Sequence, residues 1–309
     1  MKKRKKVNSV LFIVVGLVFS IIGIFVQKVE ADTGLKFQPR ISLGWLDYSL
    51  ELESTSGLAN IDWTINDDMP VAEIGATLFF KKFYFDFLYQ QTAKGYFNVS
   101  GGSFLSKGVP PWNLPLDADV SIIGDGEITH KNYAMTIGYQ LLNNLSFYAG
   151  YKQNDTNFDL YSQSYMHMID DGSLTGTPGF PITQNLVGDF YIDYNSKGPF
   201  LGGVYGFIFE DKGVLSLNLA VAFLEGELVQ SGNYFDPRTG APDYLFDMNS
   251  SGSSIGLSYG IGWRSTLTDG VGYYISVKGY NYNFDADEID QPDFRESTYQ
   301  FSLGLSYNF

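Results

Sequence analysis

The 309-residue sequence has no cysteine, so neither a disulfide framework nor a lipid anchor on an N-terminal cysteine is open to it. Histidine is almost as scarce: His130 and His167 are the only two. Basic residues are few, 20 Lys and Arg against 34 Asp and Glu, for a formal net charge of −14. A surface of that sign repels nucleic acid and anionic headgroups. Long apolar runs are missing too, with one exception at the N-terminus, so no further membrane-crossing helix is expected.

In that exception Lys2, Lys3, Arg4, Lys5 and Lys6 precede seventeen uncharged residues, Val10 to Val26, and Val29-Glu30-Ala31 then sets small residues at a cleavage spacing before Asp32. This is the pattern of a secretory signal peptide. The expectation is a signal peptide over 1–31 and a single domain over 32–309. Cleavage removes six basic residues and one acid, which leaves a still more acidic chain. Aromatics make up 17% of the whole chain, with 34 Gly and 11 Pro, a composition suited to many alternating strands joined by turns.

The last eleven residues alternate strictly. Tyr299, Phe301, Leu303, Leu305, Tyr307 and Phe309 are apolar or aromatic; Gln300, Ser302, Gly304, Ser306 and Asn308 are small or polar. Period two means a strand with two unlike faces. About ten residues, apolar on one face and polar on the other, is the unit of a transmembrane barrel. The segment closely resembles the C-terminal assembly signal of bacterial outer-membrane β-barrel proteins, in which a terminal aromatic closes an alternating strand. That resemblance implies that Phe301, Leu303, Leu305, Tyr307 and Phe309 are read by the barrel-assembly machinery.

Nine earlier segments alternate in the same way, beginning with Ile41–Glu53, Val71–Phe80 and Phe83–Asn98 and ending with Ser253–Leu267 and Val271–Phe284. In the first, the apolar phase switches at Leu46-Asp47, which predicts a bulge. Asn66-Asp67-Asp68 reads as a polar loop, and the longest loop is expected over Asp159 to Leu186. Tight turns at Lys81-Lys82, Asn143-Asn144, Glu210–Gly213 and Thr268–Gly270 alternate with long connections. Aromatics gather beside the tight turns: Phe80, Phe83, Tyr139, Phe147, Phe209, Trp263, Tyr273 and Phe309. Such a girdle marks one membrane interface. The fold expected is all-β: a transmembrane antiparallel up-and-down barrel of about ten strands, closed because open edges cannot face lipid, with short periplasmic turns and long extracellular loops. The resemblance to outer-membrane barrels implies the outer membrane of a Gram-negative cell envelope, with membrane lipid and lipopolysaccharide as surroundings.

Motifs for chemistry are sparse. Gly256-Leu257-Ser258-Tyr259-Gly260 matches the serine-hydrolase elbow pattern but lies mid-strand, where that motif needs a strand-turn-helix. Asp67-Asp68 with His167 and Asp170 can be laid on the scheme of the omptin proteases, which place an Asp pair and a His-Asp pair at a barrel rim. No omptin-like segment surrounds these residues, and adjacent acids on a strand point to opposite faces. Met166-His167-Met168 offers soft-metal ligands. Asp285, Asp287, Glu288, Asp290 and Asp293 crowd the last long loop, where oxygen ligands would suit Ca²⁺ or Mg²⁺; their spacing is not that of an EF-hand, and a solvated acidic loop is the plainer reading. No catalytic residue, metal ligand or cofactor is assigned.

Five charges have inward parity at membrane depth: Glu73, Asp86, Lys152, Arg264 and Lys278. Facing lipid instead, each basic residue would cost about 2–4 kcal/mol near the midplane. Mixed signs predict ion pairs inside a narrow lumen, which either hold the wall together or act as a filter. The leading functional expectation is a non-enzymatic, porin-like barrel with a narrow polar lumen, either a small-solute channel or a structural membrane protein. Binding of an extracellular ligand or adhesion through the surface loops, and an omptin-like rim protease, are the alternatives.

Overall fold

The computed structural model describes residues 35–56, 59–105, 118–169, 181–210, 212–235, 242–287 and 293–309; the expected signal peptide lies outside them. The described residues form β1 (Leu35–Ser56), β2 (Ala59–Phe80), β3 (Phe83–Thr92), β4 (Gly95–Leu105), β5 (Ala118–Leu142), β6 (Leu145–Ile169), β7 (Pro181–Phe209), β8 (Gly213–Phe235), β9 (Pro242–Thr268), β10 (Val271–Ala286) and β11 (Asp293–Tyr307). All pairings are antiparallel, and β1 pairs with both β2 and β11, which closes the sheet. Strands β3 and β4 lie end to end between the same neighbours, β2 and β5, so the eleven strands make ten staves. The even count and the up-and-down order agree with the expectation.

The lipid-facing band follows from parity. Leu43, Trp45, Phe85, Ile137, Leu201, Leu219, Ile261 and Leu303 all point outward and are exposed. Aromatics bound the band at both ends, Tyr307 below and Tyr299 above on β11, eight residue steps apart. At about 3.3 Å per step and a tilt of about 40° this is about 20 Å, close to the 25 Å apolar band of bacterial barrels. Near the short turns Phe83 packs on Tyr139 at 5.0 Å and Phe209 on Trp263 at 5.7 Å between ring centroids.

Above the band the faces exchange character. On β1, Leu46, Tyr48, Leu50 and Leu52 point inward with at most 3% exposure, while Asp47 points out into solvent. No bulge accompanies the switch: β1 stays in unbroken register with β11 from Arg40 to Glu53. The bulge expected at Leu46-Asp47 is therefore wrong. The backbone is regular and its surroundings change, from lipid outside and polar lumen inside to water outside and an apolar core inside.

A bulge does interrupt the wall at Ala93-Lys94, between β3 and β4; smaller register shifts lie at strand ends, at Gln140/Leu142, Tyr234/Phe235 and Val271/Gly272. Thr92 pairs with Val71 but Asn98 with Asn66, and Gln91 pairs with Lys131 but Gly95 with Ile128, so one extra residue enters on both sides. Opposite the break stands Pro70, which has no N–H to give; its carbonyl accepts the Ala93 N–H at 2.8 Å. The inserted residue reverses parity. Odd-numbered Phe85 and Phe87 face lipid, whereas odd-numbered Phe97 and Val99 are buried inside.

Strands continue far past the membrane, up to 29 residues in β7. Asn66, Asp67 and Asp68 are not a loop but part of β2, paired with Ser49, Tyr48 and Asp47. Most of the expected loop Asp159–Leu186 is also strand, with β6 and β7 paired out to Ile169 and Pro181.

Candidate functional site in the barrel interior

The interior is arranged in three levels. Lowest, Arg40 on β1 reaches over β2 to Asp86 on β3, donating from Nη1 to Oδ1 at 2.5 Å and from Nη2 to Oδ2 at 2.8 Å. Thr77 bridges them, accepting from Arg40 at 2.9 Å and donating to Asp86 Oδ1 at 2.5 Å. Lys278 on β10 donates to Glu73 Oε2 on β2 at 3.0 Å, and Arg40 Nε stands 3.9 Å from Glu73 Oε1. Two strands lie between Lys278 and its partner, so this pair spans part of the lumen.

Of the five charges singled out in the sequence, only Glu73 and Lys278 pair with each other. The partner of Asp86 is Arg40, a residue just outside the first strand as read from Ile41. Arg264 joins no acid among the described residues: its Nη1 donates to Gln38 Oε1 at 3.0 Å, and the Gln38 amide donates to Asn308 Oδ1 at 2.6 Å, near the short-turn mouth.

Lys152 lies deeper. Its Nζ donates to the Tyr282 hydroxyl at 2.7 Å and stands 4.7 and 4.8 Å from the ring centroids of Tyr280 and Tyr282. Beyond it are Glu296, 2% exposed with neither carboxylate oxygen hydrogen-bonded, and His130, whose Nδ1 is 2.8 Å from Thr156 Oγ1. These two residues lie above the lipid-facing band: Lys131 and Arg295, their outward-facing neighbours, are charged. Burial pushes Glu296 up to about 7, opposed by the Lys152 charge, and pushes His130 down to about 3, reinforced by that same charge. Glu296 lies just outside the alternating segment Tyr299–Phe309, on the inward row that Gln300 and Ser302 continue back through Thr298.

Between the floor network and Lys152 is a chamber of about 250 Å³, with Tyr84, Tyr148, Phe200 and Tyr280 in its walls and Arg40, Lys152 and Lys278 at its edges. Above it, eighteen buried apolar residues fill the barrel, Tyr48, Leu50, Phe97, Ile128, Phe158 and Tyr194 among them. Tyr194 meets Phe294 edge-on at 4.8 Å, and Phe97 meets Phe158 at 5.8 Å. Each such side chain contributes about 1.5–3 kcal/mol by leaving water. The lumen is therefore stopped on the long-loop side by an apolar plug, a feature separate from the ion pairs that the inward charges predict.

The other motifs disperse. Asp67 has the inward parity of its partner Tyr48, while Asp68 is exposed beside Asp47, so the two acids sit on opposite faces of β2. The backbone of His167 pairs with Asp119 and Thr183 within β6 rather than in a loop; its side chain, those of Met166 and Met168, and Asp170 lie outside the described residues. Asp293 accepts the Ala286 N–H at 2.9 Å and Asp287 the Ser251 hydroxyl at 3.1 Å, while Glu288 and Asp290 lie outside the described residues. Among the described residues no three His, Cys, Asp or Glu are placed to hold a metal. Gly256 and Gly260 sit within continuous β9; a Cβ on Gly256 would fall 1.8 Å from the Tyr282 ring, so glycine is there to admit that ring. Phe301, Leu303, Leu305 and Tyr307 face outward and exposed, and Phe309 packs against Phe37 and Tyr307 at 6.2 and 4.4 Å.

No family model and no curated protein sequence matches the chain. Among solved structures it is similar to the outer membrane protease OmpT from Escherichia coli, at 14% identity over 89% of this chain and 97% of that one, with a TM-score of 0.59. It also matches the P. putida toluene transporter TodX (11% identity, 90% of each chain, TM-score 0.34). The attachment invasion locus protein Ail of Yersinia pestis matches at 12% identity over 88% of this chain and 98% of that one, TM-score 0.26. The chain has the fold of the bacterial outer-membrane β-barrels.

Proposed function

We propose that the protein is a non-enzymatic, closed barrel of the bacterial outer membrane, a rigid pedestal that carries its long-loop end well clear of the lipid rather than an open pore. The observation that carries this reading is the apolar plug above the membrane band. A conducting path needs polar, water-filled cross-section, and eighteen packed apolar side chains provide none. The long strands support the pedestal role: β7 alone has 29 residues, far more than the nine to eleven or so that a tilted strand needs to cross. A non-catalytic reading is supported by His130, which is enclosed within the barrel and hydrogen-bonded to Thr156, away from any substrate at the rim. Its surroundings would be outer-membrane lipid and lipopolysaccharide, and its C-terminal strand would be the segment that the assembly machinery reads.

The test is planar-bilayer conductance of the purified protein. Wild type and Arg264→Ala should both be silent, because Arg264 lies at the short-turn mouth, bonded to Gln38 and away from the plug. Combined Phe97→Ala and Phe158→Ala, which thin the plug, should admit a small-ion leak. Large, stable wild-type steps would overturn the closed-barrel reading.

A further inference from the structure

We propose that the chamber beneath the plug is a blind binding site for small organic monocarboxylates with a flat apolar body, entered from the short-turn end. Solvent reaches it from that side. Asn218, in its wall, is exposed, as are Gln140 and Arg264 nearer the mouth, and Ile208, inward by parity, is 60% exposed. The inner face of β7–β9 there is narrow-sided: Gly206, Ser216, Gly260 and Gly262 leave width that larger side chains would fill. The ion-pair network is anchored on the opposite side, around β1–β3, with Lys278 reaching to it from β10.

The charge of the site selects the ligand. Arg40 is held by Asp86 and Lys278 by Glu73, so two of the three cations are already matched. Among the described residues Lys152 has no carboxylate within 4.0 Å; its ammonium donates to Tyr282 and stands against the rings of Tyr280 and Tyr282, with no further hydrogen-bond acceptor taken up. Burial holds Glu296, whose charge Lys152 does feel, toward its neutral form and so leaves that cation incompletely compensated. One free ammonium fits a monoanion better than a phosphate dianion. Asn132, 5% exposed, borders the same space with a neutral amide and adds no second charge.

The walls select the rest of the molecule. Tyr148 and Phe200 meet edge-on at 6.0 Å, and with Tyr84 and Tyr280 they present ring faces and edges suited to a flat body. About 250 Å³ is below the 300–1,000 Å³ or so of drug-sized pockets, so the ligand is of benzoate size.

Isothermal titration of the whole mature protein in detergent micelles tests this, with benzoate as probe, benzamide as its neutral isostere and inorganic phosphate as the compact anion. Benzoate should bind saturably at millimolar concentration or below, and benzamide and phosphate at least about ten-fold more weakly. Lys152→Met should lose benzoate binding and Lys152→Arg should keep it. Ala134→Leu, which fills the chamber and leaves every charge in place, should also lose it; Ala134 is inward and only half-buried, so the larger side chain has room. Heat-modifiable gel mobility establishes that each variant is folded, and Ala134→Leu decides the matter if Lys152→Met does not fold. Absence of saturable benzoate binding, equal binding of benzamide, or unchanged binding by folded Ala134→Leu would overturn the assignment. A silent bilayer and bound benzoate are compatible, so failure here and failure of the closed-barrel reading are separate results.

Discussion

Arg40 and Asp86 grip each other across an intervening strand, through two hydrogen bonds of 2.5 and 2.8 Å that pass over Gly75. The contact depends on what Gly75 lacks: a Cβ there would stand 2.7 Å from Arg40 Cζ. Gly75→Ala should therefore displace the guanidinium and destabilise the barrel by about 1–3 kcal/mol in urea unfolding from lipid vesicles, the range for a charge-assisted hydrogen bond. Asp86→Asn should cost a similar amount, and the double variant little more than either single one, because both changes break one contact. Fully additive losses would show that Gly75 acts by some other route.

Glu296 and His130 give opposite pH dependences. A carboxyl whose folded pKa is raised to about 7 favours folding in its neutral form, so its contribution is full below about 4.5 and is lost as pH rises to about 7. An imidazole lowered to about 3 contributes fully above about 6.5 and loses stability as pH falls toward 3. Between about pH 4.5 and 6.5 the two oppose each other in the wild type, and below that only the His130 loss continues. The stability difference between Glu296→Gln and wild type should therefore grow as pH rises from 4.5 to 7, in favour of the variant. In Lys152→Met the opposing cation is gone, so the loss should extend past pH 7. A difference between Glu296→Gln and wild type that stays flat across pH 4.5–7 would refute this account.

Phe309 ties the C-terminal end to the start of the barrel. Its N–H donates to Phe37 O at 3.1 Å, and its ring packs on Phe37 and Tyr307. Deleting it should lower the outer-membrane yield more than Asn308→Ser, which gives up only the side-chain bond from Gln38. Equal yields, measured by quantitative immunoblot of membrane fractions, would reject the assembly-signal reading.

Residues 1–31 carry the basic, apolar and small-residue pattern of a signal peptide. N-terminal sequencing of protein purified from membranes should begin at Asp32. An intact Met1 would make the apolar stretch a retained anchor.

What the sequence determined by itself is the membrane band. The alternation from Tyr299 to Tyr307 and from Tyr133 to Tyr139, the tight turns and the aromatics beside them all appear in the fold where the pattern placed them. Lipid demands apolar side chains on one face of every crossing strand, and each strand must meet that demand alone, so the signal is local and readable. The phase switch at Leu46 was readable too, but its meaning was not. Period two shows that two faces differ, not which solvent lies beyond each, so a regular strand leaving lipid for water looked like a bulge. The bulge that does reverse parity, at Ala93-Lys94, stands opposite Pro70 on the neighbouring strand. Only closure of the sheet brought Arg40 to Asp86, Lys278 to Glu73, and Phe97, Phe158, Tyr194 and Phe294 into one plug. Those contacts join strands distant in sequence, and their partners follow from register and curvature around the whole barrel, which no single segment encodes.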